Sequence, residues 1–189
     1  MRIYFITSNQ SKFEWAKRRF FGSRIDLVQK ELQIEESRAI KVEEVVLDKA
    51  KKAQNKLKEP FIIEDTGFCI PSLSDFPSTH IKLVIGTIGI NGILKLLEGS
   101  KDRTAIFRSA LVFSHNGKTQ IFVCNDFGTI SMSPKGEHLR GFNDLFKIFI
   151  PDGFKKTLAE MSDGEFLEYE KKIEIKDHYL KFLKELKEV

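Results

Sequence analysis

Apolar and polar positions along the chain sort it into short elements of two periods. Residues 2 to 7, RIYFIT, are strand formers, and SNQSKFEWAKRRFF after them carries apolar residues at helical spacing, entered through a polar turn. The chain therefore opens strand, turn, helix. A short apolar run near residues 25 to 29 predicts a second strand, and residues 42 to 58 a helix whose far end is rich in lysine, where cations suit the helix dipole. Pro60 punctuates before FIIED, which reads as a buried strand ending at Glu64 and Asp65, with Thr66-Gly67 turning the backbone.

After residue 78 the pattern is helical, interrupted by Gly86, Gly89 and Gly92. Two strands follow, TAIFRSALVFSH and KTQIFVCNDF, and Asn116-Gly117 between them is a strong hairpin signal. GTISMSPKG and an aromatic loop, GFNDLFKIFIPDG, lead to a charged amphipathic helix from residue 162. No repeat, linker or low-complexity segment breaks the run. The expectation is one mixed α/β domain over residues 1–189, in one or two lobes.

Composition narrows the class. The 189 residues are 41% hydrophobic and 31% charged, with no apolar stretch long enough to cross a bilayer and a poor match to a signal peptide at MRIYFITSN. A cytoplasmic protein is expected. Cys69 and Cys124 lack the paired spacing of a zinc or redox motif and read as buried free thiols. The net charge of +4 is spread out rather than gathered on a face with interleaved aromatics, which argues against nucleic acid and leaves room for an anionic small molecule.

Three constellations carry candidate chemistry. Thr7, Ser8, Asn9 and Lys12 stand where the first strand meets the first helix, a seat for phosphate or simply a capping turn with a solvated lysine. Glu44, Asp48 and Lys49 lie within a turn or so on the second helix, a charged surface in the plain structural reading. Glu64 and Asp65 follow an apolar run, and adjacent acids there need water, a cation or a proton between them. Together these groups supply carboxylates for a divalent cation, an acid to orient water and lysines for phosphates.

In this order the motifs resemble the inosine triphosphate pyrophosphatase family. The T-x-N-x-x-K element is matched by Thr7, Asn9 and Lys12, and E-x-x-x-x-K-A by Glu44, Lys49 and Ala50. Glu64, Asp65, Thr66 and Gly67 match [ED]-D-[TS]-G. Gly128, Ile130, Pro134, Lys135 and Gly136 match G-x-I-x-x-x-P-[RK]-G, and Pro151 to Gly153 with Thr157 and Ala159 to Met161 match the P-D-G…T-x-A-E-M stretch.

The resemblance implies an elongated mixed sheet in two lobes around a central cleft, flanked by helices, and a magnesium-dependent homodimer. Such an enzyme would hydrolyse the purine triphosphates ITP, XTP and dITP to monophosphate and pyrophosphate. It implies Glu44, Glu64 and Asp65 as ligands of Mg²⁺, Asp65 as the group that activates water, and Thr7, Ser8, Asn9, Lys12 and Lys49 as the triphosphate grip. Thr66, Phe142, Asp144, Phe146, Asp177 and His178 are the implied nucleoside contacts, although phenylalanines in so Phe-rich a chain are more often core and His178 reads equally as a solvated surface residue.

Three segments depart from the pattern. G-G-x-P-G is replaced by Leu73 to Ser78, keeping the proline; F-G-[YW]-D-P is replaced by Phe142 to Phe146; and S-H-R becomes Asp177-His178-Tyr179. The phosphate end is intact while the base end is altered. A non-catalytic nucleotide-binding protein and a pyrophosphatase with shifted base preference are the alternatives.

Overall fold

Strand β1 (Arg2–Ile6) pairs in parallel with β2 (Asp26–Lys30) on one side and β3 (Phe61–Ile70) on the other. The structure is a computed structural model and describes residues 1–35, 37, 39–138 and 144–187. Among these, the sheet runs β2-β1-β3-β5-β6-β7, with β5 spanning Thr104–His115, β6 Lys118–Ile130 and β7 Phe149–Pro151. A short β4 (Phe76–Ser78) pairs antiparallel with the far end of β3, and β7 pairs antiparallel with β6. The sheet is thus mixed, and helices make up the rest of an α/β fold. No helix among the described residues is long and apolar enough to cross a membrane.

The chain divides into two units, and β3, β5 and β6 each contribute residues to both. The first unit holds Met1–Thr66, Ser109–Cys124 and Lys176–Val189; within it lie α1 (Gln10–Arg19), α2 (Val42–Gln54) and α6 (His178–Lys187). Strict alternation along its strands separates two cores. Ile3, Phe5, Ile62, Leu111 and Phe113 face Ala16 of α1, Phe20 just after it, and Tyr179, Phe182 and Leu183 of α6. Ile6, Phe61, Ile63, Ala110 and Val112 face Val42, Val46, Ala50 and Ala53 of α2. A pleated strand sends successive side chains to opposite faces, so one sequence run feeds both cores.

The second unit holds Gly67–Arg108 and Asn125–Ile175, with α3 (Ile81–Thr87), α4 (Gly89–Leu96) and α5 (Asp163–Glu174). Phe68, Phe107, Phe146, Phe149 and Phe166 build a chain of tilted and edge-on rings through its core. The two motifs around Gly136 and Thr157 meet here. Thr157 Oγ1 donates to the Lys135 carbonyl at 3.0 Å, and His138 N donates to the Ala159 carbonyl at 3.1 Å.

The hairpin, the opening strand and helix, the helix from residue 42 and the buried free cysteines are as the sequence predicts. Asn116 and Gly117 both take positive φ, 52° and 76°, the geometry a two-residue turn between twisted strands requires. Three expectations are corrected. β3 does not end at Asp65 but runs on through Thr66-Gly67 to Ile70, because Phe68, Cys69 and Ile70 are buried and find ladder partners in β4. The helical run after residue 78 is two helices, broken where Gly89 adopts φ 63°. The tail is also two helices, α5 capped by a reciprocal Ser162–Glu165 box and α6 starting afresh after Asp177.

Gly136 has φ 79°, and a Cβ on it would collide with the Ala159 carbonyl carbon and oxygen. Left-handed strain and the backbone clash add, so Gly136→Ala is expected to cost about 3 kcal/mol in urea unfolding. An unchanged denaturation midpoint would show that this loop is not held as described.

Candidate active site

The alternation that builds the two cores of the first unit continues past Ile63 and decides where the acids go. Glu64 falls on the Ile62 face, covered by α1 and α6, and Asp65 on the Ile63 face, covered by α2. Each meets a lysine from the helix over its own face. Lys12 Nζ of α1 lies 3.1 Å from Glu64 Oε2, and Lys49 Nζ of α2 donates to Asp65 Oδ2 at 2.6 Å. Lys12 also stands 3.8 Å from Asp65 Oδ1. The carboxylates are well buried, with side-chain exposures of 5% and 19%. Two acids facing two ammonium groups make a nearly neutral cluster, which is how adjacent charges persist at that depth.

The remaining acceptor sites are also occupied. Thr66 Oγ1 donates to Glu64 Oε1 at 2.6 Å and is 2.9 Å from Ser109 Oγ of β5, while Thr66 N donates to Asp65 Oδ1 at 2.9 Å. Burial pushes the Asp65 carboxyl up, but Lys12, Lys49 and the Thr66 amide outweigh it and hold the group below its ordinary value. Burial pulls Lys12 down, and Glu64 and Asp65 more than restore it, so its ammonium is raised. Ser109 is a member of the cluster that sequence reasoning missed. Its only signal is a small hydroxyl on the same strand face as Leu111 and Phe113.

Other expected site residues take varied places. Asn9 caps α1, its Oδ1 accepting from Lys12 N at 3.2 Å, and Thr7 Oγ1 accepts from Asn9 N at 3.1 Å; Ser8 is exposed beside them. The turn therefore fixes where Lys12 leaves the helix. Glu44 lies in the first turn of α2, where an acid suits the helix dipole. It is 57% exposed and 3.8 Å from Lys41. Among the described residues no three His, Cys, Asp or Glu side chains are grouped to hold a metal ion, so Glu44 does not join the pair here.

His178 opens α6 and is 7% exposed, with neither ring nitrogen hydrogen-bonded. Burial lowers its imidazole below the usual value against the pull of Glu64 and Asp177, which leaves it neutral at physiological pH. Asp177 is spoken for twice, by Leu180 N and by Arg19 Nε. Phe146 and Asp144 belong to the second unit. Phe146 is 6% exposed in its core, and Asp144 lies 3.5 Å from Lys147. Phe142 lies outside the described residues.

Among the described residues the donor set around Glu64 and Asp65 is carboxylate, hydroxyl and ammonium. Its oxygens suit a hard cation such as magnesium, and its lysines suit a polyanion.

That chemistry has known counterparts. The chain belongs to the Ham1 family, whose model matches residues 3–174. It is 42% identical over 166 residues to the dITP/XTP pyrophosphatase of Pyrococcus horikoshii and 37% identical over 165 residues to that of Thermococcus kodakarensis, covering 87% of this chain in both cases and 87% and 88% of those proteins. The resemblance read from the motifs is borne out. Among solved structures the fold matches the Staphylococcus aureus Ham1 protein, at a TM-score of 0.80 and 22% identity over 100% of this chain and 98% of that one. A HAM1 protein from Coxiella burnetii matches at a TM-score of 0.80 and 21% identity over 100% of both chains.

The charge cluster has a pH signature. Asp65 titrates below its ordinary value, so its stabilising contribution is complete above that value and is lost as pH falls through the lower folded one. Lys12→Met is expected to cost about 2 kcal/mol at neutral pH, the upper range being discounted for the lysine's partial exposure, and the gap to wild type should close towards acid pH. Thermal unfolding from pH 3 to pH 8 checks this; a gap independent of pH would rule out the assigned charge pairing.

Proposed function

We propose that this protein is a nucleoside triphosphate diphosphatase, a hydrolase of acid anhydrides that converts ITP, XTP and dITP to the monophosphate and pyrophosphate. The observation that carries the reading is the placement of Lys12 and Lys49 on opposite faces of β3, each on one acid of the Glu64–Asp65 pair. Lysines held by carboxylates are positioned before a triphosphate arrives. The names of the similar archaeal proteins support the same substrate class.

In this proposal Lys12 and Lys49 grip the phosphates, with Thr7, Ser8 and Asn9 shaping the turn that presents Lys12. Asp65 orients a water and accepts its proton as the water oxygen bonds to the α-phosphorus and the bond to the departing pyrophosphate breaks. A carboxyl held below its ordinary value is ionised at neutral pH but a weak base. Transfer of Lys49 towards the polyanion would strengthen it. Glu64 and Asp65 would hold Mg²⁺, with Glu44, exposed on α2 in this structure, drawn to the cation as a further ligand; when bound the ion would neutralise phosphate charge and lower the pKa of a coordinated water. His178 and Thr66 are assigned to the nucleoside end, with Asp177 fixing the start of the helix that carries His178. The active protein is taken to be a cytoplasmic homodimer of one domain per chain, acting on free nucleotides rather than nucleic acid or a membrane.

One observation favours a shifted base preference as the second reading. Tyr179 stands where the resemblance expects an arginine, and it is 2% exposed inside the core beside Phe5 and Phe20. A site that lacks a charged donor loses part of its discrimination for a keto purine.

Pyrophosphate release with Mg²⁺ from ITP, XTP and dITP is expected to exceed that from ATP by at least about tenfold in kcat/KM. Release from none of them would end the enzyme reading, whereas preference for another base would favour the second. Asp65→Asn and Glu44→Gln are each expected to lower kcat by roughly a hundredfold or more while the thermal transition persists. Light scattering of the purified protein tests the dimer.

A further inference from the structure

His178 is a buried imidazole with two unsatisfied nitrogens in the first turn of a short helix. Buried polar groups in proteins are nearly always paired, because leaving one unpaired costs about 1–3 kcal/mol. A ring held in that state is held by something else. Its ring lies against that of Tyr179, with centroids 4.3 Å apart and planes tilted by 39°, and Tyr179 is in turn edge-on to Phe5 and Phe20.

What fixes the backbone beneath it is Asp177. Asp177 Oδ1 accepts from Leu180 N at 2.9 Å and so caps α6, while Oδ2 accepts from Arg19 Nε at 3.0 Å. The Arg19 and Asp177 side chains are 8% and 4% exposed, a deeply buried ion pair. Arg19 is the last residue of α1, and its guanidinium lies 4.6 Å from the Trp15 ring centroid, which sets its plane. The same helix carries Lys12 near its start. One ion pair therefore joins the helix that bears the phosphate lysine to the residue before the imidazole.

Buried ion pairs contribute little net stability compared with apolar replacements, and their best-attested use is to fix one arrangement among several. We propose that Arg19 and Asp177 are positioning residues for base selection, setting the place of His178 relative to Lys12 rather than meeting the nucleotide themselves. The inference rests on the reading of this site as a nucleotide pyrophosphatase with His178 at the nucleoside end. It gives Asp177 a different task from a base contact, since both of its oxygens are engaged. It also identifies Arg19, a residue outside the motifs, as a determinant of substrate choice.

The test is a mutant cycle on the full chain with Mg²⁺, measuring kcat and KM for ITP and ATP. Arg19→Met is expected to raise KM for ITP about tenfold while kcat stays within about threefold, and to reduce the ITP-over-ATP preference by a similar factor. Arg19→Lys, which keeps the charge, should recover part of that preference. In a His178→Ala background, Arg19→Met should have no further effect on the ITP-to-ATP ratio, because the pair acts through the ring. If Arg19→Met does not fold, Asp177→Asn replaces it in the cycle, since asparagine preserves the helix cap. Equal losses in kcat for both substrates with the ratio unchanged, or a full effect persisting without His178, would overturn the proposal. A wild-type protein that releases no pyrophosphate, or a His178→Ala variant with unaltered base preference, would instead remove the functional reading beneath it. A wild type and His178→Ala variant that behave as expected beside unaffected Arg19 and Asp177 variants would remove this inference alone.

Discussion

Two acids side by side in a buried strand are the constraint on which the first unit is organised. The pleat of β3 separates them, so the covering layers on both faces must each supply a cation at the same height along the strand. Lys12 and Lys49 meet that requirement from α1 and α2, and the positions of both helices follow. The Asn9 cap sets where α1 begins, and the alanines and valines of α2 set how closely it approaches the sheet. Had either lysine come from a loop, its entropy of ordering would weigh against the pair.

An arrangement that balances its own charges serves binding as well as folding. Lys12, kept ionised by its carboxylate neighbours, would need little reorganisation to meet phosphate oxygens, and Asp65, held below its usual titration range, stays ionised beside it. The Thr66 hydroxyl donates to the Glu64 oxygen that Lys12 leaves, and the Ser109 hydroxyl stands behind it, 2.9 Å from Thr66 Oγ1. In the proposed reading the nucleoside end would be organised differently, by an imidazole whose ring nitrogens have no hydrogen-bond partner and by an ion pair next to it in the chain. On that reading charge would grip one end of the ligand and shape would place the other.

Much of this was legible from local pattern, because the signals were local. Asn116-Gly117 names its own turn, helical spacing marks α1 and α2, and charges inside apolar runs draw attention to Glu64 and Asp65 wherever they occur. Boundaries were misread where long-range pairing decides them. Thr66-Gly67 looks like a turn in isolation, and it is the long-range pairing of β3 with β5, and of its far end with β4, that keeps the strand running. Ser109 and Arg19 were invisible for the same reason: one acts across strands, the other across helices, and neither is near its partner in sequence. Aromatic residues give no warning of their fate at all. With seventeen phenylalanines in the chain, nothing but packing distinguishes Phe146, in the core between Phe107 and Phe166, from a ring free to stack on a base.

The chain has a single tryptophan, Trp15, and two guanidinium groups rest against it, Arg18 at 4.8 Å and Arg19 at 4.6 Å from the ring centroid. The indole is thus an optical probe installed at the joint between α1 and α6. Its emission reports on the first unit alone, and any event that loosens Arg19 from Asp177 alters the polarity around the fluorophore without a label being added.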